Sequence, residues 1–202
     1  MRRILSLLCG LGIAPFALDA SERISALTMD NLQAAFNGES NARARYLAFA
    51  EKADTEGYAG AGSLLRAAAR AEEIHARNHS AVIRKFGCVP DAKLEPPVVQ
   101  STPENLKAAL KGETYERDEM YPAFIRQARA EGNSETLRTL TFARTAEVEH
   151  ARLYAEALQD LEGANAPRVF YVCPVCGFTT PNPDFERCPT SSTPKERFER
   201  VS

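Results

Sequence analysis

The sequence predicts an all-α protein, a four-helix bundle with a long crossover between helices 2 and 3, followed by a small metal-knuckle domain. Three observations carry this. Apolar residues recur every three or four positions in four long segments between residues 29 and 162. The connections between these segments are unequal, two short and one long. After Gly163 the helical period stops, and cysteines, prolines and aromatics take its place. The 202 residues suffice for one medium domain and a small appendage. With 44% hydrophobic and 26% charged residues the chain can build a core, and its net charge of −2 lacks the basic excess of a nucleic-acid binder.

Residues 1–25 read as a leader. Arg2 and Arg3 precede an apolar run from Ile4 to Leu18, and Ala20 offers a small residue for cleavage. The run is shorter than the roughly 20 residues that cross a membrane. The arginine pair partly matches a twin-arginine signal. The expectation is a periplasmic or exported protein; the alternative is a cytoplasmic one whose true start is Met29.

The bundle is expected over residues 26–163. Helix 1 starts near Thr28 to Asp30, both cap-type residues, and ends near Gly57. Helix 2 runs from about Ala61 to Phe86 and stops at Gly87. Helix 3 opens at Ser101-Thr102-Pro103-Glu104, a cap residue followed by an early proline, and stops at Gly132 with Pro122 kinking it. Helix 4 runs from Ser134 to Leu161. Helices 1–2 and 3–4 form hairpins, and the proline-bearing stretch from Cys88 to Thr102 joins them. A long crossover between two hairpins is the ferritin-like topology.

The hairpins repeat one another. Gly38-Glu39 recurs as Gly112-Glu113 at an offset of 74; Tyr46, Phe49, Glu56 and Gly57 recur as Tyr121, Phe124, Glu131 and Gly132 at an offset of 75. Ala71-Glu72-Glu73-Ile74-His75-Ala76 recurs as Ala146-Glu147-Val148-Glu149-His150-Ala151, also at 75.

Acids and imidazoles interrupt every apolar stripe: Glu39 in helix 1, Glu72, His75 and His79 in helix 2, Glu113 and Glu116 in helix 3, Glu147 and His150 in helix 4. Ionised carboxylates buried without compensation cost several kcal/mol each. No Lys or Arg falls on these stripes, so metal ions are the remaining compensation. Glu-x-x-His aims both side chains from one helical face. Two such motifs plus a glutamate from each other helix is the di-metal carboxylate pattern of bundles, suited to iron or manganese. Glu116, one turn beyond Glu113, is an extra ligand candidate. His79 reads as a neighbour of the site or an interface histidine, and Tyr46 and Tyr121 as core aromatics with phenols able to reach a ligand carboxylate.

The segments NLQAAFNGESNARARY at 31–46, AEEIHARNH at 71–79, NLKAALKGETYERDEMYPAF at 105–124 and AEVEHARLY at 146–154 resemble the rubrerythrins. The resemblance spans residues 29–202. It implies two iron ions held by Glu39, Glu72, Glu113, Glu116, Glu147 and His150, with one iron moving between Glu116 and His75 as its oxidation state changes. It also implies that Tyr46 and Tyr121 lie beside the centre. The implied activity is reduction of hydrogen peroxide to water, with electrons from a donor such as rubredoxin or an NAD(P)H-dependent reductase, in a homodimer. Metal handling as a ferroxidase or iron-binding protein, and peroxide sensing, are the alternatives.

The last domain, residues 169–202, resembles a rubredoxin, but incompletely. Cys173-Pro-Val-Cys176-Gly177 is one metal knuckle; the second reads Cys188-Pro189-Thr190-Ser191, with serine where a fourth cysteine belongs. Three thiolates can hold iron or zinc, with the Ser191 oxygen or water as fourth ligand, or the knuckle is empty. Cys9 falls in the leader and Cys88 is a lone thiol. The linker at Ala164 to Arg168 looks too short to return the small domain to its own bundle centre, so the resemblance suggests that the knuckle serves another subunit.

Overall fold

In the computed structural model residues 24–202 are described. Cys9 and nearly all of the expected leader lie outside them. The bundle consists of α1 (Ala26–Thr55), α2 (Ala59–Lys85), α3 (Thr102–Tyr115), α4 (Tyr121–Ala130) and α5 (Ser134–Gln159), with α3 and α4 joined end to end by a π-helical turn at Glu116–Met120. The fold is ferritin-like: α1 packs on α2, α3 and α4 pack on α5, and the crossover spans the residues between α2 and α3.

α1 begins slightly earlier than the cap residues suggest. The Ser25 hydroxyl accepts from the Thr28 amide at 3.1 Å, while the Thr28 hydroxyl donates to Glu131 at 2.8 Å. The repeat-related carboxylate Glu56 plays the matching part for α3, accepting from both the amide and the hydroxyl of Thr102 at 2.7 Å. A carboxylate at the end of one helix thus satisfies the free amides at the start of another.

The kink expected at Pro122 takes the form of the π turn. Pro122 has no N–H, and the Tyr121 amide reaches back to the Glu116 carbonyl, five residues away. Such a turn holds one more residue than an α-helix over the same length. It lies between Glu113 and Tyr121, where the repeat offset changes from 74 to 75.

The crossover is held by an amide ladder on α1 that the sequence did not signal. Gln33 donates to the Val89 carbonyl at 2.8 Å and accepts from the Asp91 amide at 3.2 Å. Asn37 accepts from the Lys93 amide at 2.8 Å. Asn41 donates to the Lys93 carbonyl at 3.0 Å and accepts from the Glu95 amide at 2.9 Å. Side chains four residues apart on one helix face meet a segment whose alternate backbone groups face them.

The small domain is a three-stranded antiparallel sheet, β1 (Phe170–Val172), β2 (Thr179–Thr180) and β3 (Glu199–Val201), in the order β2-β1-β3. It packs on its own bundle, which corrects the expectation from linker length. β1 lies along α2, and Phe170 and Val172 join the core made by Leu64, Leu65 and Ala68. Gly60 allows the close passage, since a Cβ there would press on the Ala164 and Ala166 carbonyls. The reach is small. His150 lies nine residues before the end of α5, about 14 Å at the helical rise, and an extended chain covers that in four or five residues. Arg70 fixes β3 through Glu199 at 2.6 Å.

Candidate metal centre

Two apolar clusters form the bundle core. One contains Tyr46, Phe49, Leu65, Leu106 and Tyr154; the other contains Leu32, Ile83, Tyr121, Ile125 and Leu140. Between them in each helix stand the interrupting residues. Glu39, Glu72, His75, Glu113, Glu147 and His150 are completely buried, and Glu116 nearly so.

Their donor atoms form two groups, each spanning no more than 4.8 Å: Glu39, Glu72, His75 and Glu147, and Glu72, Glu113, Glu147 and His150. Glu72 and Glu147 belong to both. His75 Nδ1 lies 2.8 Å from Glu72 and 3.1 Å from Glu147; His150 Nδ1 lies 2.8 Å from Glu147 and 3.5 Å from Glu72. The outer glutamates take one histidine each, Glu39 at 3.8 Å from His75 and Glu113 at 3.6 Å from His150. Glu116 is buried beside them but stands outside both groups.

The rings are fixed from behind. His75 Nε2 donates to the Cys176 carbonyl at 3.1 Å. His150 Nε2 donates to the Thr179 hydroxyl at 3.1 Å, and that hydroxyl donates onward to the Gly177 carbonyl at 2.9 Å. Both Nδ1 atoms are thereby aimed at the carboxylates, an outer support that sets tautomer and orientation. Both supports come from the small domain. Gly177, at φ +77°, makes the contact possible, since a Cβ there would collide with the His75 ring.

The tyrosines serve crosswise. Tyr46 of α1 donates to Glu113 of α3 at 2.7 Å, and Tyr121 of α4 donates to Glu39 of α1. His79 is outside both groups. Its Nε2 donates to the Tyr121 oxygen at 3.1 Å, and its Nδ1 accepts from the Thr139 hydroxyl at 3.0 Å. Tyr154, one turn beyond His150, packs edge-on against Tyr46 with its hydroxyl unpartnered.

The electrostatics fit metal ions. Burial, then repulsion from neighbouring carboxylates, pushes Glu39 and Glu113 well above the usual carboxylate range, and Glu116 likewise. Burial alone would raise Glu72 too, but hydrogen bonds from His150 and His75 hold it low. Burial opposes charge on His75, yet Glu147 and Glu72 outweigh it and push the ring up to about 10. Without metal, the imidazoles are thus asked to carry the missing positive charge. Glu39 Oε2, Glu113 Oε2, Glu116 Oε2 and both Glu147 oxygens have no hydrogen-bond partner. Buried oxygens of this kind are what cations satisfy, and a set of carboxylates with two imidazoles suits iron or manganese.

In the small domain Cys173, Cys176 and Cys188 form a third buried group. Ser191 stands beside it, its Oγ 3.3 Å from Cys173 Sγ and 2.8 Å from Thr193 Oγ1. Cys88 is exposed and apart from it.

The family model for rubrerythrin matches residues 30–158, most of the bundle. The chain belongs to the rubrerythrin family. Among relatives of known name, nigerythrin of Nitratidesulfovibrio vulgaris is 38% identical over 180 residues, covering 85% of each chain. Rubrerythrin-2 of Clostridium acetobutylicum is 37% identical over 180 residues, covering 87% of this chain and 97% of its own. The solved structure of nigerythrin in its mixed-valence state superimposes with a TM-score of 0.80 at 35% identity, over 99% of this chain and all of the other. Nigerythrin has also been solved fully reduced, all ferrous. A Desulfovibrio desulfuricans bacterioferritin matches at a TM-score of 0.65 and 22% identity over 73% of this chain, which speaks for the ferritin-like fold alone.

Proposed function

We propose that this rubrerythrin-family chain is a non-haem di-iron peroxidase that reduces hydrogen peroxide to water with two electrons from an external donor. The observation that carries the reading is the pair of buried donor groups sharing Glu72 and Glu147. Glu39 and His75 would complete one iron position and Glu113 and His150 the other, with Glu116 as a further carboxylate. When bound, the iron pair supplies one electron from each ion, and two protons complete the conversion of H2O2 to two waters.

The chain's own residues do the rest. Tyr121 and Tyr46 pin one oxygen of Glu39 and one of Glu113, leaving the second oxygen of each free for metal. Complete burial keeps bulk water from the reacting centre and strengthens each charge interaction there. The His75–Cys176 hydrogen bond joins the small domain to the centre and offers electrons from a rubredoxin or an NAD(P)H-dependent reductase a short route inward.

The test is single-turnover mixing of the reduced, iron-loaded chain with peroxide and, separately, with oxygen. Rapid oxidation by peroxide and slow oxidation by oxygen is the expected result. The reverse preference replaces peroxidase with ferroxidase chemistry.

A further inference from the structure

The second knuckle keeps its backbone form although it has lost its cysteine. In the first knuckle the Gly177 amide bonds the Cys173 carbonyl at 3.0 Å; in the second the Ser192 amide bonds the Cys188 carbonyl at 2.9 Å. Ser192 adopts φ +59°, the same left-handed turn that Gly177 makes at +77°. The three sulfurs sit where a shared ion needs them. Ligands about 2.3 Å from a tetrahedral ion stand about 3.8 Å apart, and Cys176 Sγ lies 3.5 Å from Cys188 Sγ.

The fourth corner is different in kind. The cysteines are buried, but Ser191 is half-buried and lines a cleft of about 510 Å³ between α2, α5 and the small domain. A serine oxygen sits closer to its backbone than a cysteine sulfur does, and a neutral hydroxyl is a weak ligand. Ser191 Oγ is already engaged with Thr193 Oγ1 and Cys173 Sγ. Lys85, Glu135 and Arg138 also line the cleft; Lys85 pairs with Glu135 at 2.8 Å, and Arg138 makes no ion pair among the described residues. Three protein ligands with a fourth position left to solvent is the arrangement of metal sites that exchange ligands; four protein ligands close the site.

We propose that the knuckle is an open three-thiolate metal site. Its ion is held by Cys173, Cys176 and Cys188, and its fourth ligand is a water rather than the Ser191 oxygen. Small anions entering through the cleft displace that water, one ligand replacing another with no change of oxidation state. The inference is independent of the peroxidase reading.

The test uses the full chain carrying Cys9→Ser and Cys88→Ser, loaded with cobalt(II). The carboxylate centre has no thiolate, so the thiolate-to-cobalt charge-transfer absorption reports the knuckle alone. Azide is expected to shift this band in the chain with Ser191 and equally in Ser191→Ala. Ser191→Cys is expected to raise the band by about one third, for a fourth thiolate, and to leave it unmoved by azide. Absence of the band, its loss in Ser191→Ala, or a band indifferent to azide in the chain with Ser191 would each overturn the proposal.

Discussion

Gly177→Ala tests the contact on which the whole centre leans. The change adds one methyl group, and two costs follow from where it goes. The residue sits at φ +77°, where any side chain is strained by roughly 1–2 kcal/mol. The new Cβ would also collide with the His75 ring, and the knuckle must move away to relieve it. That movement breaks the bond from His75 Nε2 to the Cys176 carbonyl, a buried pair whose loss costs about 1–3 kcal/mol. The sum is about 2–5 kcal/mol. Gly87→Ala carries the first cost alone, because Gly87 has φ +79° but nothing within 4 Å of its Cβ position, so the difference between the two variants isolates the second. Thermal and urea unfolding of both variants should therefore separate them by about 1–3 kcal/mol, or roughly 2–12 °C for a chain of this size. Equal stabilities would refute the argument that the small domain of the same chain buttresses His75.

Other substitutions probe other links. Tyr121→Phe leaves Glu39 and His79 without their shared partner and should cost about 1–3 kcal/mol in urea unfolding, whereas Tyr115→Phe, at an exposed ring, should cost almost nothing. Asn41→Ala removes one rung of the ladder and should raise hydrogen exchange at Glu95 ahead of the helices. Hydrogen bonds from Thr102 lower Glu56 from 4.5 to about 2, so its stabilisation is whole above 4.5 and disappears as pH falls toward 2. Acid titration of Glu56→Gln should lack that component. Stripping metal should lower the melting temperature, and a hundredfold excess of ion over its dissociation constant should restore about 2.7 kcal/mol; a melting temperature indifferent to metal would contradict the donor groups.

The inward glutamates were legible because a helix repeats its faces, so a carboxylate at a core position stands out wherever the bundle closes. The repeat made the pairing of Glu72/His75 with Glu147/His150 readable as well. The crosswise tyrosine bonds were visible only as an option, since spacing along one helix does not say which neighbour a phenol reaches. The supports behind the histidines were not legible. One is a backbone carbonyl, which carries no residue signature, and the other is Thr179, an unremarkable residue about thirty positions from its partner. The docking of the small domain was not legible either, because the length of a linker does not give its path, which Gly60 opens along α2.

The π turn leaves a mark on the symmetry of the centre. Glu39, Glu72 and His75 each have a counterpart in the other hairpin. Glu116 has none, since Ala42 fills the corresponding place one turn after Glu39. Two cations held between perfectly matched halves would be interchangeable, and neither would be first to gain or lose an electron. One unmatched carboxylate lifts that degeneracy. With two cations bound, it would leave the two positions in unequal surroundings, their occupants would differ in potential, and the pair would acquire a direction.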